Sequence, residues 1–302
     1  MYERWFGLQR APFENVPDTG FFFGSGGHNE ALAQLVCCVE QRKGFAMLSG
    51  EIGAGKTTVT RALFKRLDAR TITATVTNSH LTGVQLLQTV AKEFGIEGVR
   101  PSRPELIEAI NRFLVERLAE DRNVLLLVDE AQDLPLATLE ELRLISNLET
   151  ERVKLIQIII VGQPELRAKI DHPGLRQLRQ RLALRYHLKG LSLEETRNYI
   201  DHRLQIAGAA GALRFSDRAV NTIWRYARGI PRLINLASDK TLLVAYTEQS
   251  RKLEQAAVMA GLREIEGEDF DFHAREVEEA AERMGPRRTF LRMPFFGSLG
   301  RS

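Results

Sequence analysis

Two kinds of hydrophobic pattern alternate along residues 29–190. Short runs of apolar or β-branched residues, typical of strands, occupy positions 45–49, 71–77, 124–128 and 155–161. Between them, apolar residues recur every three or four positions at 29–43, 57–67, 81–94, 105–118 and 136–148, which predicts helices. Because strands that alternate with helices form βαβ units, we predict an α/β fold with a mostly parallel sheet and helices on both faces.

The strand pattern stops after about residue 188, and the pattern that follows is helical at 193–206, 217–228 and 231–246. Ser192 and Ser216 stand at the N-cap positions of two of these helices. We predict four segments: an irregular aromatic- and proline-rich leader at 1–28, an α/β core at 29–190, a small all-helical lid domain at 191–250, and a C-terminal segment at 251–302. In that last segment a helix precedes an acidic stretch and a basic arginine tail, which we expect to be a flexible appendage.

The composition is that of a globular protein with a weak positive charge. Of the 302 residues, 44% are hydrophobic, and the net charge of +3 permits contact with nucleic acid or an anionic membrane without indicating either. Cys37 and Cys38 are neighbours that cannot form an ordinary disulfide, which favours a reducing compartment. No apolar run reaches the about 18 residues of a membrane-spanning helix, and no signal-peptide pattern is present. We expect a cytoplasmic protein without a transmembrane segment, with peripheral attachment at the inner face of the membrane left open.

A glycine-rich motif of the form G-x-x-x-x-G-K-T follows the first predicted strand and precedes a predicted helix. Glycines at these places let the backbone wrap around a phosphate with its N–H groups pointing inward, and the helix adds the positive end of its dipole. We expect Lys56 to contact the β- and γ-phosphates of a nucleoside triphosphate and the Thr57 hydroxyl to bind Mg²⁺. The predicted nucleotide-binding residues of this phosphate loop are Gly50, Glu51, Ile52, Gly53, Ala54, Gly55, Lys56, Thr57 and Thr58.

An acidic pair, Asp129 and Glu130, comes directly after the apolar run 124–128. Ligands bind at the carboxyl ends of parallel strands, so Asp129 is predicted to hold Mg²⁺ opposite Thr57, and Glu130 to activate a water for attack on the γ-phosphate. An apolar run ending in Asp-Glu is weak evidence alone, since helix N-caps show the same pattern. One predicted strand intervenes in the sequence, so we expect a further strand between the phosphate-loop strand and the Asp129 strand. No N-K-x-D motif for guanine is present, which favours ATP.

Taken together, these residues make the chain resemble an AAA+ ATPase, and more closely the general secretion pathway protein A (ExeA-like) family. That family includes ATPases encoded beside exopolysaccharide and protein-sorting loci. The resemblance covers roughly residues 1–250 and implies a five-stranded parallel sheet followed by a helical lid. It is carried by the stretches YERWFGLQRAPFENVPDTGFFFGSGGHNEAL, GFAMLSGEIGAGKTT, LLLVDEAQDL, IIIVGQPEL, LRQRLALRYHL and GIPRLINLASDKTLL.

The resemblance also implies roles for residues around the phosphates. The leader and residues 28–30 are expected near the adenine. Asn78 matches the polar residue that restrains the catalytic Glu in many AAA+ proteins. Gln163 matches the sensor-1 position, although Asn or Thr is commoner there. Arg232 in GIPR matches the sensor-2 arginine; without the family match, that motif indicates only a helix start with Pro in its first turn.

An arginine cluster is expected to act between subunits. Arg181 is the predicted arginine finger, which stabilises transition-state charge in a neighbouring subunit's site. Arg179 and Arg185 are rivals for this role, and a solvated basic helix is the simpler interpretation of the group. An arginine finger implies a homo-oligomer.

The function that the resemblance implies is Mg²⁺-dependent ATP hydrolysis that drives or regulates assembly in secretion, polysaccharide export or cell-envelope processes, with proteins of those systems as partners. Secretion-type members often continue into a membrane helix and a peptidoglycan-binding region, and we find neither pattern here, so direct action on the cell wall is not expected. The alternative is a DNA-binding regulatory ATPase of the transposition target-selection or initiator type. Nucleic-acid binding would weaken steeply with salt in a gel-shift titration. A non-hydrolysing nucleotide switch is a third interpretation, against which Glu130 argues.

Overall fold

The computed structural model describes residues 1–15, 19–21, 23–78, 80–151, 153–209, 211, 213–267 and 270. The chain divides into two units, residues 1–261 and residues 262–302. The predicted arginine tail and most of the predicted acidic stretch lie outside the described residues. The four predicted segment boundaries stay a prediction.

Helices and strands follow one another as the hydrophobic pattern indicates. The strands are β1 (Phe45–Gly50), β2 (Thr71–Val76), β3 (Asn123–Val128), β4 (Gln157–Gly162) and β5 (Leu182–Leu188). The helices in the first half are α1 (Tyr2–Phe6), α2 (Gly26–Glu40), α3 (Lys56–Arg66), α4 (Gly83–Glu93), α5 (Arg103–Ala119) and α6 (Leu136–Ser146). The later helices are α7 (Pro164–Ile170), α8 (Arg176–Arg181), α9 (Leu193–Ile206), α10 (Asp217–Ala227), α11 (Pro231–Thr247) and α12 (Gln255–Glu266).

Within the described residues, five strands form one parallel sheet in the order β2-β3-β4-β1-β5. This confirms the predicted α/β architecture. A strand does separate β1 from β3, as expected, but it is β4. The strand that intervenes in the sequence, β2, lies at the edge of the sheet beside β3.

The sheet has a hydrophobic cluster on each face because side chains along a strand alternate between faces. Met47 and Leu126 pack into one cluster with residues of α4, α5 and α6. Leu48 and Leu127 pack into the other with residues of α2 and α3. Strands covered on both faces read as continuous apolar runs, which is why the sequence predicts β1, β3 and β4.

Two local predictions differ from the structure. β5 was not among the strands that the pattern predicts, because it is an edge strand whose residues are mostly part-exposed and include Arg185 and His187. The leader, expected to be irregular, contains helix α1, a 3-10 turn at Thr19–Phe21 and the start of α2 among its described residues. The predicted N-caps hold: the Ser192 hydroxyl accepts from the Glu195 N–H, and that of Ser216 from the Ala219 N–H.

In the described part of the chain, none of the helices is both long enough and apolar enough to cross a bilayer.

Candidate functional site

The phosphate loop connects the carboxyl end of β1 to the start of α3. Its backbone needs glycine at two positions, where the φ angles are +80° at Gly53 and +99° at Gly55. Space also demands glycine, since a Cβ at Gly53 would lie 2.4 Å from the Arg232 Cβ, and one at Gly55 would lie 2.4 Å from the His28 Nε2. Gly55 is the N-cap of α3 and supplies no capping side chain, so the first N–H groups of that helix keep their capacity to bind an anion.

Lys56 lies inside this loop and is only 8% exposed. Its ammonium donates to the carbonyl oxygens of Gly50 at 2.7 Å and Glu51 at 3.0 Å. Burial lowers the pKa of Lys56, and the carboxylates of Glu130 and Asp129 oppose that shift. The loop therefore has a cation at its centre, aligned by the backbone that encloses it.

A cavity of about 480 Å³ opens beside the loop. The leader, the phosphate loop and the helices after β5 all contribute to its wall. Its lining residues are Glu14, Asn15, Phe21, Phe23, His28, Ile52, Gly53, Gly55, Lys56, Thr57, Thr58, Glu130, Gln163, Leu191, Tyr199, Arg203, Pro231, Arg232 and Asn235. The cavity thus brings together most of the residues that the sequence assigns to nucleotide binding and hydrolysis.

Asp129 and Glu130 follow β3 at the same edge of the sheet, because all the described strands run parallel. The Asp129 carboxylate accepts the N–H of Glu130 at 2.9 Å. Glu130 has a left-handed backbone, with φ at +49°, which is uncommon for a residue with a side chain. Burial raises the pKa of Asp129, so a nearby cation would stabilise its charged form.

The donor set fits Mg²⁺, which takes oxygen ligands and needs few of them from protein when phosphates and water supply the rest. Thr57 is exposed on the cavity, and Asp129 is a part-buried carboxylate. These two residues are the candidates to hold the metal.

Glu130 is held by two amide side chains. Gln132 Nε2 donates to Glu130 Oε2 at 2.8 Å, and Gln163 Nε2 approaches the same oxygen at 3.4 Å. Asn78 is exposed, and its side-chain oxygen accepts from the N–H of His80 at 3.2 Å. The described contacts of Asn78 do not include Glu130, so its restraining role stays a prediction.

Arg232, the predicted sensor-2 arginine, lies at the start of α11 and on the cavity wall. Its peptide N–H donates to the Gly53 carbonyl oxygen at 3.3 Å. The first turn of α11 therefore touches the phosphate loop directly.

Arg181 lies away from the cavity. It is the last residue of α8, and β5 begins next to the start of β1, where Leu182 is the partner of Phe45. Arg181 therefore lies at the amino ends of the parallel strands, whereas the phosphate loop follows the carboxyl end of β1. Arg181 has no ion pair with any residue that the structure describes, whereas Arg179 and Arg185 lie 3.8 Å and 3.0 Å from the Asp171 carboxylate.

Arg203 on α9 is a site residue that the sequence reasoning missed. It is 6% exposed and donates to the carbonyl oxygens of Pro12 and Glu14, the latter at 3.0 Å, and to the Tyr199 hydroxyl at 2.8 Å. No carboxylate pairs with it among the described residues. No local signal marks such a residue, since a mid-helix arginine is usually on the surface.

His28 is a second such residue: the sequence predicted only that it lies near the adenine, and not its contacts with the phosphate loop. Its Nε2 lies 3.0 Å from the Ala54 carbonyl oxygen and its Nδ1 lies 2.6 Å from the Ser25 hydroxyl. A carbonyl can only accept, so Nε2 carries the proton and Nδ1 accepts from Ser25. Burial lowers the pKa of His28, which keeps the ring neutral as a brace under the loop.

Comparisons with known proteins agree with this geometry. The AAA domain family matches residues 39–170. The chain is 39% identical over 268 residues to General secretion pathway protein A from Aeromonas hydrophila, an alignment that covers 88% of this chain. The chain spans about half the length of that relative, since the match covers 49% of it.

Solved structures show the same fold at low identity. The ORC2 protein of Aeropyrum pernix in ADPNP–ADP complexes superposes with a TM-score of 0.61 at 17% identity, covering 85% of this chain and 72% of that chain. Cdc6p from Pyrobaculum aerophilum gives 0.58 at 19% identity, covering 79% and 68%. The RuvB Holliday junction branch migration motor of Thermotoga maritima gives 0.52 at 18% identity, covering 84% and 76%. The predicted resemblance to AAA+ ATPases is confirmed: the chain contains an AAA domain at residues 39–170 and is similar to General secretion pathway protein A over most of its own length.

Proposed function

We propose that this protein hydrolyses ATP to ADP and phosphate with Mg²⁺, and that this reaction drives or regulates an assembly step in secretion, polysaccharide export or the cell envelope. The observation that carries the proposal is the single cavity that Lys56, Glu130 and Arg232 share. It combines a phosphate cradle, a carboxylate beside it and a cation from the helical region opposite.

The chemistry follows from these positions. Loop N–H groups and Lys56 bind the β- and γ-phosphates, and Arg232 adds positive charge from the other side. Glu130 accepts a proton from the water that attacks the γ-phosphorus, while the bond to the β–γ bridging oxygen breaks and its electrons stay on ADP. Mg²⁺, when bound by Thr57 and Asp129, would offset charge on the phosphate oxygens.

The base end of the cavity supports adenosine binding. Phe21 and Phe23 of the leader and Tyr199 of α9 form an aromatic wall, and Asn15 and Asn235 add amide groups, joined by a hydrogen bond of 3.1 Å. An apolar wall with a few oriented polar groups is typical of nucleotide-base sites. We propose that the adenine lies here.

Two substitutions test the reaction. Lys56→Ala removes the central cation and should abolish ATP binding, measured by calorimetry or a fluorescent analogue. Glu130→Gln keeps the shape and should retain ATP binding while phosphate release stalls. Near-normal turnover by Glu130→Gln would remove Glu130 from the role of base.

The cellular role is supported by the relative from Aeromonas hydrophila, whose name places it in the general secretion pathway. A cytoplasmic location at the inner face of the membrane suits such a role. Replacing the chromosomal gene with the Glu130→Gln variant should impair protein secretion or polysaccharide export, assayed in the culture supernatant. Unchanged secretion, export and envelope integrity would contradict the role while leaving the ATPase proposal intact.

Oligomerisation is supported by the position of Arg181 at the amino ends of the strands, opposite the carboxyl ends where the cavity lies. Since Arg181 lies away from its own subunit's cavity, we infer that it acts on the phosphates of a neighbouring subunit. We propose an active homo-oligomer on this basis.

A further inference from the structure

Gln132 is a buried amide that neither the motif nor the family match assigns to a role. It lies in the 3-10 turn Ala131–Asp133 that follows Glu130 and is 9% exposed. Its side-chain nitrogen donates to Glu130 Oε2 at 2.8 Å and to Asp133 Oδ2 at 3.2 Å. Its side-chain oxygen accepts the peptide N–H of Gln163 at 3.0 Å.

These partners fix which way the amide points. A peptide N–H can only donate, so the oxygen of Gln132 must face Gln163 and the nitrogen must face Glu130. The backbone of Gln132 is fixed too, because the Lys169 ammonium donates to the carbonyl oxygens of Gln132 and, at 2.9 Å, of Leu134. Both ends of the residue are therefore tied to α7 or its N-cap.

Gly162, the last residue of β4, makes room for this arrangement. A Cβ at that position would lie 2.6 Å from the Gln132 side-chain oxygen. The amide thus occupies space that a side chain at the end of β4 would fill.

We propose that Gln132 is the positioning residue for Glu130, which it ties to the neighbouring strand end through Gln163. This inference rests on the proposed ATP hydrolysis and deepens it. Glu130 has a left-handed backbone after a strand end, and its carboxylate accepts only one other side-chain hydrogen bond among the described residues, the longer one from the Gln163 amide. The Gln132 donor limits the carboxylate to one orientation before the water arrives, which lowers the entropic part of the barrier.

Two substitutions separate the hydrogen-bond donor of Gln132 from the volume that its side chain fills. Gln132→Glu keeps an acceptor for the Gln163 N–H but loses the donor to Glu130, and Gln132→Met fills a similar volume with neither. We expect both to lower kcat by roughly 10- to 100-fold, as for a misplaced catalytic group, with the KM for ATP unchanged. A residue with only a packing role would leave kcat intact in Gln132→Met.

A double-variant cycle makes the coupling explicit. Once Glu130→Gln has removed the base, adding Gln132→Met should cost no further activity, because the two residues act as a unit. The matched control is Gln157→Glu, a buried glutamine at the start of β4 whose oxygen accepts the N–H of Gly44 at 2.7 Å, far from the cavity. Folding of every variant is verified by ATP affinity.

The outcomes distinguish this inference from the proposed function. A wild-type protein without ATP hydrolysis would refute both. An active wild type with an inactive Glu130→Gln variant, but with normal kcat in both Gln132 variants, would refute the positioning role alone. A kcat that rises in those variants would also refute it, since the amide would then be a restraint.

Discussion

The peptide N–H of Arg232 donates to the carbonyl oxygen of Gly53 over 3.3 Å, so the first turn of α11 lies against the phosphate loop. This contact joins the two sides of the cavity. A change in the phosphate loop can therefore reach α11 through one hydrogen bond.

Gly53→Ala should disrupt that contact. Its added Cβ would lie 2.4 Å from the Arg232 Cβ, so α11 must move away or the loop must distort. We expect ATP affinity to fall at least 10-fold, about 1.4 kcal/mol, in calorimetric titration. The control is Gly98→Ala, where φ is +72° but no atom lies within 4 Å of the added Cβ. Equal losses of affinity in both variants would show that contact with Arg232 is irrelevant.

Arg203→Lys should detach the leader from α9. Lysine keeps the charge but cannot reproduce the forked contacts to Pro12, Glu14 and Tyr199. Leaving buried acceptors unpaired should lower the free energy of unfolding by about 1–3 kcal/mol. Affinity for ATP should fall, while affinity for inorganic triphosphate should not, because Arg203 supports the base end of the cavity.

Arg197→Lys is the matched control on the same helix. Arg197 forms an exposed ion pair with Asp217, which contributes little to stability. If both variants lose the same stability and the same ATP affinity, the contacts of Arg203 with the leader do not explain its effect.

Stability should fall as the pH falls through the ordinary pKa of histidine. Burial lowers the pKa of His28 in the folded state, so below about 6.5 the unfolded chain binds the proton that the folded chain resists. The free energy of unfolding should thus decrease from that pH down to the folded-state pKa. His28→Gln can still donate to Ala54 but does not titrate, and its denaturation midpoint should depend less on pH. His187, whose pKa burial also lowers, stays in both proteins and cancels in the comparison. An identical pH dependence of both proteins would contradict this assignment.

Arg181→Ala should abolish ATP hydrolysis by the oligomer, and mixing it with a variant that keeps Arg181 should restore that activity. Wild-type specific activity should rise with protein concentration. Arg181→Ala has an intact site without a finger, and Glu130→Gln has an intact finger without a base. Mixing the two inactive variants should restore phosphate release, since a neighbour then supplies the arginine. Arg176→Ala, an exposed arginine on the same helix, should behave as wild type.

One contrary result would assign the arginine finger to Arg179 or Arg185 instead. In that case the mixture of Arg181→Ala with Glu130→Gln stays inactive, while a mixture containing Arg179→Ala or Arg185→Ala regains phosphate release. Both rivals lie near Asp171 in the subunit, so they would have to leave that carboxylate to act on a neighbour.

Hydrophobic runs were sufficient to predict β1, β3 and β4, because both faces of these strands are buried and most of their positions are apolar. β5 lacks this signal, since an edge strand carries polar side chains such as those of Arg185 and His187. The hydrophobic pattern also could not predict that β4 lies between β1 and β3, because the order of strands in a parallel sheet with crossovers differs from their order in the sequence.

The sequence by itself determined the phosphate loop and the acidic pair after β3, because each depends on a few consecutive residues whose chemistry is local. Only the tertiary structure decided which side chains brace them. The guanidinium of Arg203 reaches a carbonyl 191 residues away, and the Gln132 amide meets the end of a different strand. Such hydrogen bonds depend on distances that the fold sets, and a single amide or arginine has no periodicity from which to infer its partner.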